Sequence, residues 1–306
     1  MTTPLADTPP LKAWLLLLLL ALIWGSSFLL MKKGLLVFSP DQLAALRIGV
    51  AGLVLLPLLT QRIKTVQRQH LIKLFSVGLV GSFIPAFLFA FGQTQLASGV
   101  TGVLNTLTPL ATLVISVMLF KQPSRLQQWL GVLMGLFGAI LLVSANGSGD
   151  MQVNSYALLI VAATVCYGIN LNVIKHKITD LSALTITGVS LFLMAPAAFI
   201  YLFVFTPFTH QIDQPQFSLA LTAVLLLAIV GTAAALVIFN TVVKITDTTF
   251  ASSVTYLIPI VALILGVLDG EPFYIEHALG MAAILSGVWI ANRKKRKPGA
   301  MAGQIN

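Results

Sequence analysis

Charge is scarce in this sequence. Only 9% of its 306 residues are Asp, Glu, Lys or Arg, where soluble domains carry about 25%. A chain so poor in charge cannot cover a globule with the polar surface that water requires. Cysteine is nearly absent too. Cys166 is the only one, which excludes an intrachain disulfide and leaves the redox compartment unread. The nine acids all lie outside the interiors of the long apolar runs: Asp7, Asp41, Asp150, Asp180, Asp213, Asp247, Asp269, Glu271 and Glu276. Missing as well are a glycine-rich phosphate loop ending in Lys and Ser or Thr, and a His-Glu-x-x-His zinc motif. His70, His176, His210 and His277 are scattered near the ends of apolar runs. These absences remove a built-in ATP motor and any visible nucleophile–base or metal constellation. No cofactor, no metal and no enzymatic activity are expected.

What the sequence has is hydrophobicity. With 58% apolar residues it offers ten candidate membrane spans: 13–31, 42–59, 71–91, 98–119, 127–145, 155–174, 184–205, 217–239, 249–268 and 276–291. A helix crosses the bilayer core in about 20 apolar residues. The runs are continuous and do not alternate, which excludes a β-barrel. The first follows Lys12 and exceeds the length of a signal h-region, and no small-residue cleavage site precedes its continuation. It is read as a retained helix. Connections are short and leave no room for a soluble domain. The expected fold class is an all-α integral membrane protein.

The net charge of +9 is unevenly placed. With ten spans, one side receives Lys12, Arg62, Lys64, Arg68, Lys73, Lys121, Arg125, Lys175, Lys177, Lys244 and the run Arg293–Lys297. The other receives only Lys32 and Lys33. The positive-inside rule then places both termini in the cytoplasm. The basic tail reads as an anchor on anionic lipid and not as a nucleic-acid site, because the rest of the chain is lipid-soluble.

The two halves echo each other. "VLNTLTP" (Val103–Pro109) and "SVTYLIP" (Ser253–Pro259) put polar residues and a Pro inside apolar runs 150 positions apart. "IWGSSFLLMKK" (Ile23–Lys33) matches "CYGINLNVIKH" (Cys166–His176) at an offset of 143, and Lys121–Gly138 matches Gly270–Gly287 at 149. Five spans per half is an odd number, so the second half enters from the opposite face. That is the inverted repeat of many secondary transporters, with substrate near the midplane between halves. The units expected are 13–145 and 155–291, with 1–12 and 292–306 as cytoplasmic tails.

Ten spans as five plus five, an early "WGSSF", an Arg early in the second span ("AALRIG"), polar-Pro fourth and ninth spans and "GEP" before the last span resemble the drug/metabolite transporter superfamily. The EamA-domain branch is most similar, over nearly the whole chain. Where the first half of such proteins often carries Glu before its last helix, this chain has Gln122; Glu271 keeps the acid in the second half. The resemblance implies a secondary transporter of small metabolites in the cytoplasmic membrane, working by alternating access. An exporter of amino acids or related compounds is preferred. An importer or a multidrug efflux protein of the same superfamily is the alternative, and a channel-like facilitator the alternative of a different class. The expected partners are a small-molecule substrate and the lipid bilayer, not nucleic acid; a homo-oligomer is left open.

The candidate substrate-binding residues are Asn105, Thr106, Thr255, Tyr256, Arg47, Trp24, Tyr167 and Asn170. A charge such as Arg47 inside a span costs about 2.5–3.5 kcal/mol and either faces the bundle or snorkels to the interface. Asn105, Thr106, Thr108, Thr255 and Tyr256 either wall a central cavity or satisfy backbone groups freed by Pro109 and Pro259. Asn170 and Asn172 cannot share a helix face; Asn170, one turn from Tyr167, is the cavity candidate. Trp24 and Tyr167 hold one repeat position and either line the cavity or belong to an interfacial belt. Gln93, Gln95 and Asn240 are expected to be solvated at loops. Gly131, Gly135, Gly138, Gly280 and Gly287 are expected to pack helices closely. With no acid inside a span, transport is expected to be facilitated diffusion or exchange, or coupled through a boundary group such as Glu271.

Overall fold

The computed structural model describes residues 10–59, 62–144, 154–246 and 254–292. The basic tail, the loop around Gly147, and Asp7, Asp150 and Asp247 lie outside the described residues, as do the side chains of Asn240 and Lys244. Every regular element among the described residues is a helix. Eight are long and apolar enough to cross a membrane: α1 Leu11–Gly34, α2 Pro40–Leu59, α3 Arg68–Gly92, α4 Ser98–Met118, α5 Leu126–Val143, α6 Ala157–Lys177, α7 Ala183–Phe205 and α8 Phe217–Phe239. Two shorter apolar helices follow, α9 Val254–Leu268 and α10 Ile275–Ala291. Their lipid-soluble character is visible from outside: Leu15, Phe137, Val204, Phe205 and Leu268 are among many large apolar side chains left exposed. Such a surface is stable only in a bilayer.

The starts of the helices are set by local chemistry. Ser182 accepts a hydrogen bond from the Thr185 backbone N–H at the head of α7, and Gln67 and His70 form a reciprocal capping box at the head of α3. The interiors are not uniform. Segments with wider, π-type turns occur at Leu79–Phe83 in α3, Ile229–Ala234 in α8 and Tyr201–Phe205 at the end of α7. In α3 the cause is legible. Pro85 has no N–H to offer the Gly81 carbonyl one turn earlier, so the helix widens ahead of it.

The two Pro-terminated motifs do not fold alike. In α4 the helix stops at Asn105, turns through Thr106 and Leu107, and resumes at Thr108. In α9 the helix runs unbroken through Pro259. The expectation that both prolines make the same defect is thus corrected.

Helix packing brings α1 against α8 and α9, and α6 against α3 and α4. α2 lies along α7, α4 along α9, and α5 along α10. The last pair is held by bare backbone. A Cβ added to Gly131 would stand 2.5 Å from the Gly287 carbonyl oxygen, and one added to Gly138 would stand 2.8 Å from that of Gly280. Small residues permit this approach, and the van der Waals contact it creates is what joins helices in lipid. The close-packing role expected of these glycines is met.

Candidate functional site

Arg47 leaves α2 toward the interior of the bundle. It is enclosed by protein, retains some accessible surface, and lies close enough to Tyr167 of α6 for the two groups to act on each other electrostatically. Its Nε is buried without a hydrogen-bond partner among the described residues. The Oδ1 atoms of Asn105, at the break in α4, and of Asn170, on α6, share that condition. Gln93 Oε1 and Ser190 Oγ are in the same condition. Buried polar atoms are ordinarily satisfied, and of the five, Asn105 and Asn170 stand on helices that pack together, α4 and α6, while Arg47 interacts with Tyr167 of α6.

Aromatic rings flank this region in two similar sets. Tyr167 stacks on Phe89 with ring centroids 6.0 Å apart. Trp24 packs on Phe239 at 5.7 Å, and its indole N–H donates to the Gly231 carbonyl at 3.1 Å. Gly231 lies in the wide turn of α8, a geometry that frees carbonyls from the helical ladder. Asn170 in turn fits against Gly81 in the wide turn of α3, where a Cβ would collide with its carboxamide. Trp24 and Tyr167 are partly buried and pack against the main apolar cluster.

The remaining candidates sort differently. The Thr106 hydroxyl donates to the Val103 carbonyl at 2.6 Å, and that of Thr108 to the Asn105 carbonyl at 2.8 Å. Asn105 would have given this carbonyl to an N–H that Pro109 lacks, so Thr108 repairs the defect locally. Thr255 and Tyr256 are half-buried on α9, Tyr256 against the main apolar cluster. Asn172 is buried and ties α6 to α4 through the Thr112 carbonyl at 3.0 Å. Gln95 is exposed as expected. Gln93 corrects the expectation of loop solvation: it is 5% exposed and donates to the Phe28 carbonyl. The Phe28 carbonyl lies within the α1 ladder, and its second lone pair accepts the amide N–H.

Sequence reasoning missed a charge cluster at one end of the bundle. Lys32 Nζ lies 2.9 Å from both Asp269 and Glu271, and Lys33 pairs with Asp269. Glu271 also crowns the start of α4. Its Oε1 accepts from the Ser98 backbone N–H at 2.9 Å and the Ser98 hydroxyl at 2.7 Å, and its Oε2 from the Gly99 N–H at 3.1 Å. A carboxylate at a helix N-terminus is favoured by the unpaired N–H groups there. Burial alone pushes the Glu271 carboxyl up, but the Ser98, Lys32 and Gly99 donors outweigh it and hold it below the usual range. Hydrogen bonds from Lys33 and Lys32 do the same for Asp269. The available signal was the pairing of the two cations on the Lys-poor side with two of the few acids. Metal-binding groups of His, Cys, Asp or Glu do not occur among the described residues.

The chain is similar in sequence and fold to known proteins. The model of the EamA-like transporter family matches twice, over residues 11–144 and 154–293. An uncharacterized transporter of Archaeoglobus fulgidus is 24% identical, over 93% of this chain and 100% of its own. The uncharacterized transporter YyaM of Bacillus subtilis is 26% identical over 94% and 96%. The uncharacterized inner membrane transporter YedA of Escherichia coli K12 is 26% identical over 88% and 87%. A crystal structure 21% identical in sequence superposes with a TM-score of 0.63, covering 92% of this chain and 96% of the other; it shows a shared fold.

Proposed function

The chain belongs to the EamA-like transporter family, and from that premise we propose that it exports small amphiphilic metabolites, amino acids or related compounds, across the cytoplasmic membrane by alternating access. The substrate class rests on one observation, the partnerless buried atoms Arg47 Nε, Asn105 Oδ1 and Asn170 Oδ1. A guanidinium matches a carboxylate. Two amide oxygens accept from an ammonium group. An amino-acid zwitterion carries both complements, and the rings of Trp24, Tyr167, Phe89 and Phe239 offer apolar faces to its side chain. Tyr256 completes the wall we assign, with Thr255 beside it. The direction of transport follows the exporters that the sequence resembles.

We also read the helices as ten spans in a 5+5 inverted repeat, residues 13–145 and 155–291, with both termini cytoplasmic. The packing supports this. α1–α9 and α4–α6 exchange under the repeat, as do α1–α8 and α6–α3. Trp24–Phe239 and Tyr167–Phe89 are the same pair twice, at offsets of 143 and 150. Gly131 meets Gly287 and Gly138 meets Gly280, and at the repeat offset of 149 the two contacts are equivalents of each other; a two-fold axis produces that reciprocity.

Counterflow in proteoliposomes tests the function. Saturable exchange of an amino-acid panel is expected. Asn105→Ala and Arg47→Lys should each raise the half-saturating concentration about tenfold, the loss of one charge-assisted hydrogen bond. Unchanged flux and competition in Asn105→Ala and Tyr256→Phe would remove the site assignment. Unsaturated flux would favour a channel.

A further inference from the structure

The repeat places an equivalent of the Lys32–Lys33–Asp269–Glu271 cluster at the opposite end of the bundle, and the chemistry there is different. Lys33 corresponds to His176 and Asp269 to Phe120. Where the first pair forms an ion pair, the second forms a ring stack with centroids 4.7 Å apart. Lys32 corresponds to Lys175 and Glu271 to Gln122, and both Lys175 and Gln122 are exposed. The two ends hold the same contact between the tail of one half's first helix and the loop before the other half's last helix. One contact is ionic and the other is not.

We propose that the Lys32–Lys33–Asp269–Glu271 cluster is a gate lock, and that its counterpart, the Phe120–His176 stack with the exposed Gln122 and Lys175 and no carboxylate, makes the two gates unequal, biasing the transporter toward the state closed at the Lys32 face. The inference rests on the alternating-access reading above. Three features suit the cluster to that task. It joins separate parts of the chain: the end of α1, the start of α4 and the α9–α10 loop. Glu271 is nested and not merely adjacent, with a side chain 7% exposed that rests against Gly266, where a Cβ would meet its Oε2. And opening that end must separate Lys32 from Glu271 or strip Glu271 from the Ser98 and Gly99 N–H groups. Leaving any of these charged or polar groups unpaired in a partly buried place is costly. Parting a Phe–His stack strands no charge. A ligand or a gate shifts a two-state equilibrium only by its differential interaction with the two states, and the sequence supplies that difference in three substitutions, Lys33 to His176, Asp269 to Phe120 and Glu271 to Gln122, between otherwise equivalent positions.

The test is access from each face. A single reporter cysteine, Asn105→Cys in a Cys166→Ser background, is labelled with a membrane-impermeant maleimide in vesicles of each orientation. Glu271→Gln should speed labelling from the Lys32 face about tenfold and slow it from the other. Gln122→Glu, which sets a carboxylate near Lys175 at an exposed position and so spares the fold, should do the reverse. The double variant should return toward the starting balance. Glu271→Gln protein that elutes as a single folded species with both rates unchanged, or both raised equally, would overturn the lock, as would a Gln122→Glu variant with no effect. Saturable flux is measured on the Glu271→Gln, Gln122→Glu and double variants with Asn105 left in place. If it is absent while labelling still shifts, the carrier reading falls and the lock survives; if flux saturates and labelling does not shift, only the lock falls.

Discussion

Replacing Gly287 with Ala places a methyl carbon where two backbones touch. The added Cβ would lie 2.5 Å from the Gly131 carbonyl oxygen and 2.7 Å from the Gly135 nitrogen. Both atoms are backbone and neither has a rotamer by which to yield. The helices must separate by about 1 Å, and a gap of that size forfeits a quarter to a half of each dispersion contact along the crossing. Overpacking costs about 1–3 kcal/mol. Against this, Ala is favoured over Gly within a helix by about 1 kcal/mol. The net expectation is a loss of up to about 2 kcal/mol, read as a lower midpoint in reversible unfolding in detergent. The geometry also dictates the pattern of coupling. Once Gly287→Ala has parted the helices, Gly131→Ala at the same contact should add little. Gly138→Ala, seven residues away and facing Gly280, should add more nearly its full cost. Equal additivity in both double variants, or no loss in either single variant, would refute the direct backbone crossing between α5 and α10 and the reciprocity read from it.

Further outcomes are open to measurement. Thr108→Val should orphan the Asn105 carbonyl at the α4 break and lower stability by about 1–3 kcal/mol, seen as an earlier thermal transition; an unchanged transition would mean that Thr108 does not repair the proline defect. The carboxyls of Glu271 and Asp269 are held below their usual range. A depressed carboxyl contributes stability that is fully present above the unfolded pKa, about 4, and is lost as pH falls through the still lower folded value. The ratio of labelling rates from the two faces, in which the thiolate's own pH dependence cancels, should therefore be flat between pH 8 and pH 5, and a midpoint near neutrality in that ratio would contradict the ionised clasp. Reporter fusions in the loop at Gly147 and at the C-terminus should report opposite sides of the membrane; the same side for both would sink the inverted repeat.

Composition and order were enough to establish several things about this chain. A bilayer is the only solvent for a sequence so apolar and so poor in charge, and helices are the only way such continuous runs satisfy their backbone there. The spacing of "WGSSF", "GEP" and the two Pro-ended motifs carried the family, and the glycines of α5 and α10 announced a close crossing because nothing else in a helix is so flat. Tertiary structure decided the rest. In one dimension Thr106 and Thr108 read equally as cavity wall or as partners for their own backbone; in the fold their hydroxyls turn to Val103 and Asn105, since a neighbouring carbonyl is always within reach of a helical threonine. The unequal fates of Pro109 and Pro259 were equally invisible, because a proline states which bond is lost and not how the chain accommodates the loss. Gln93 looked like a loop residue until Phe28, 65 positions away, came to meet it. Lys32 and Glu271 stand 239 residues apart, and sequence shows each only as a charge near the end of a span. Their pairing depends on which helix tail the fold sets beside which loop, a long-range matter that no local pattern encodes.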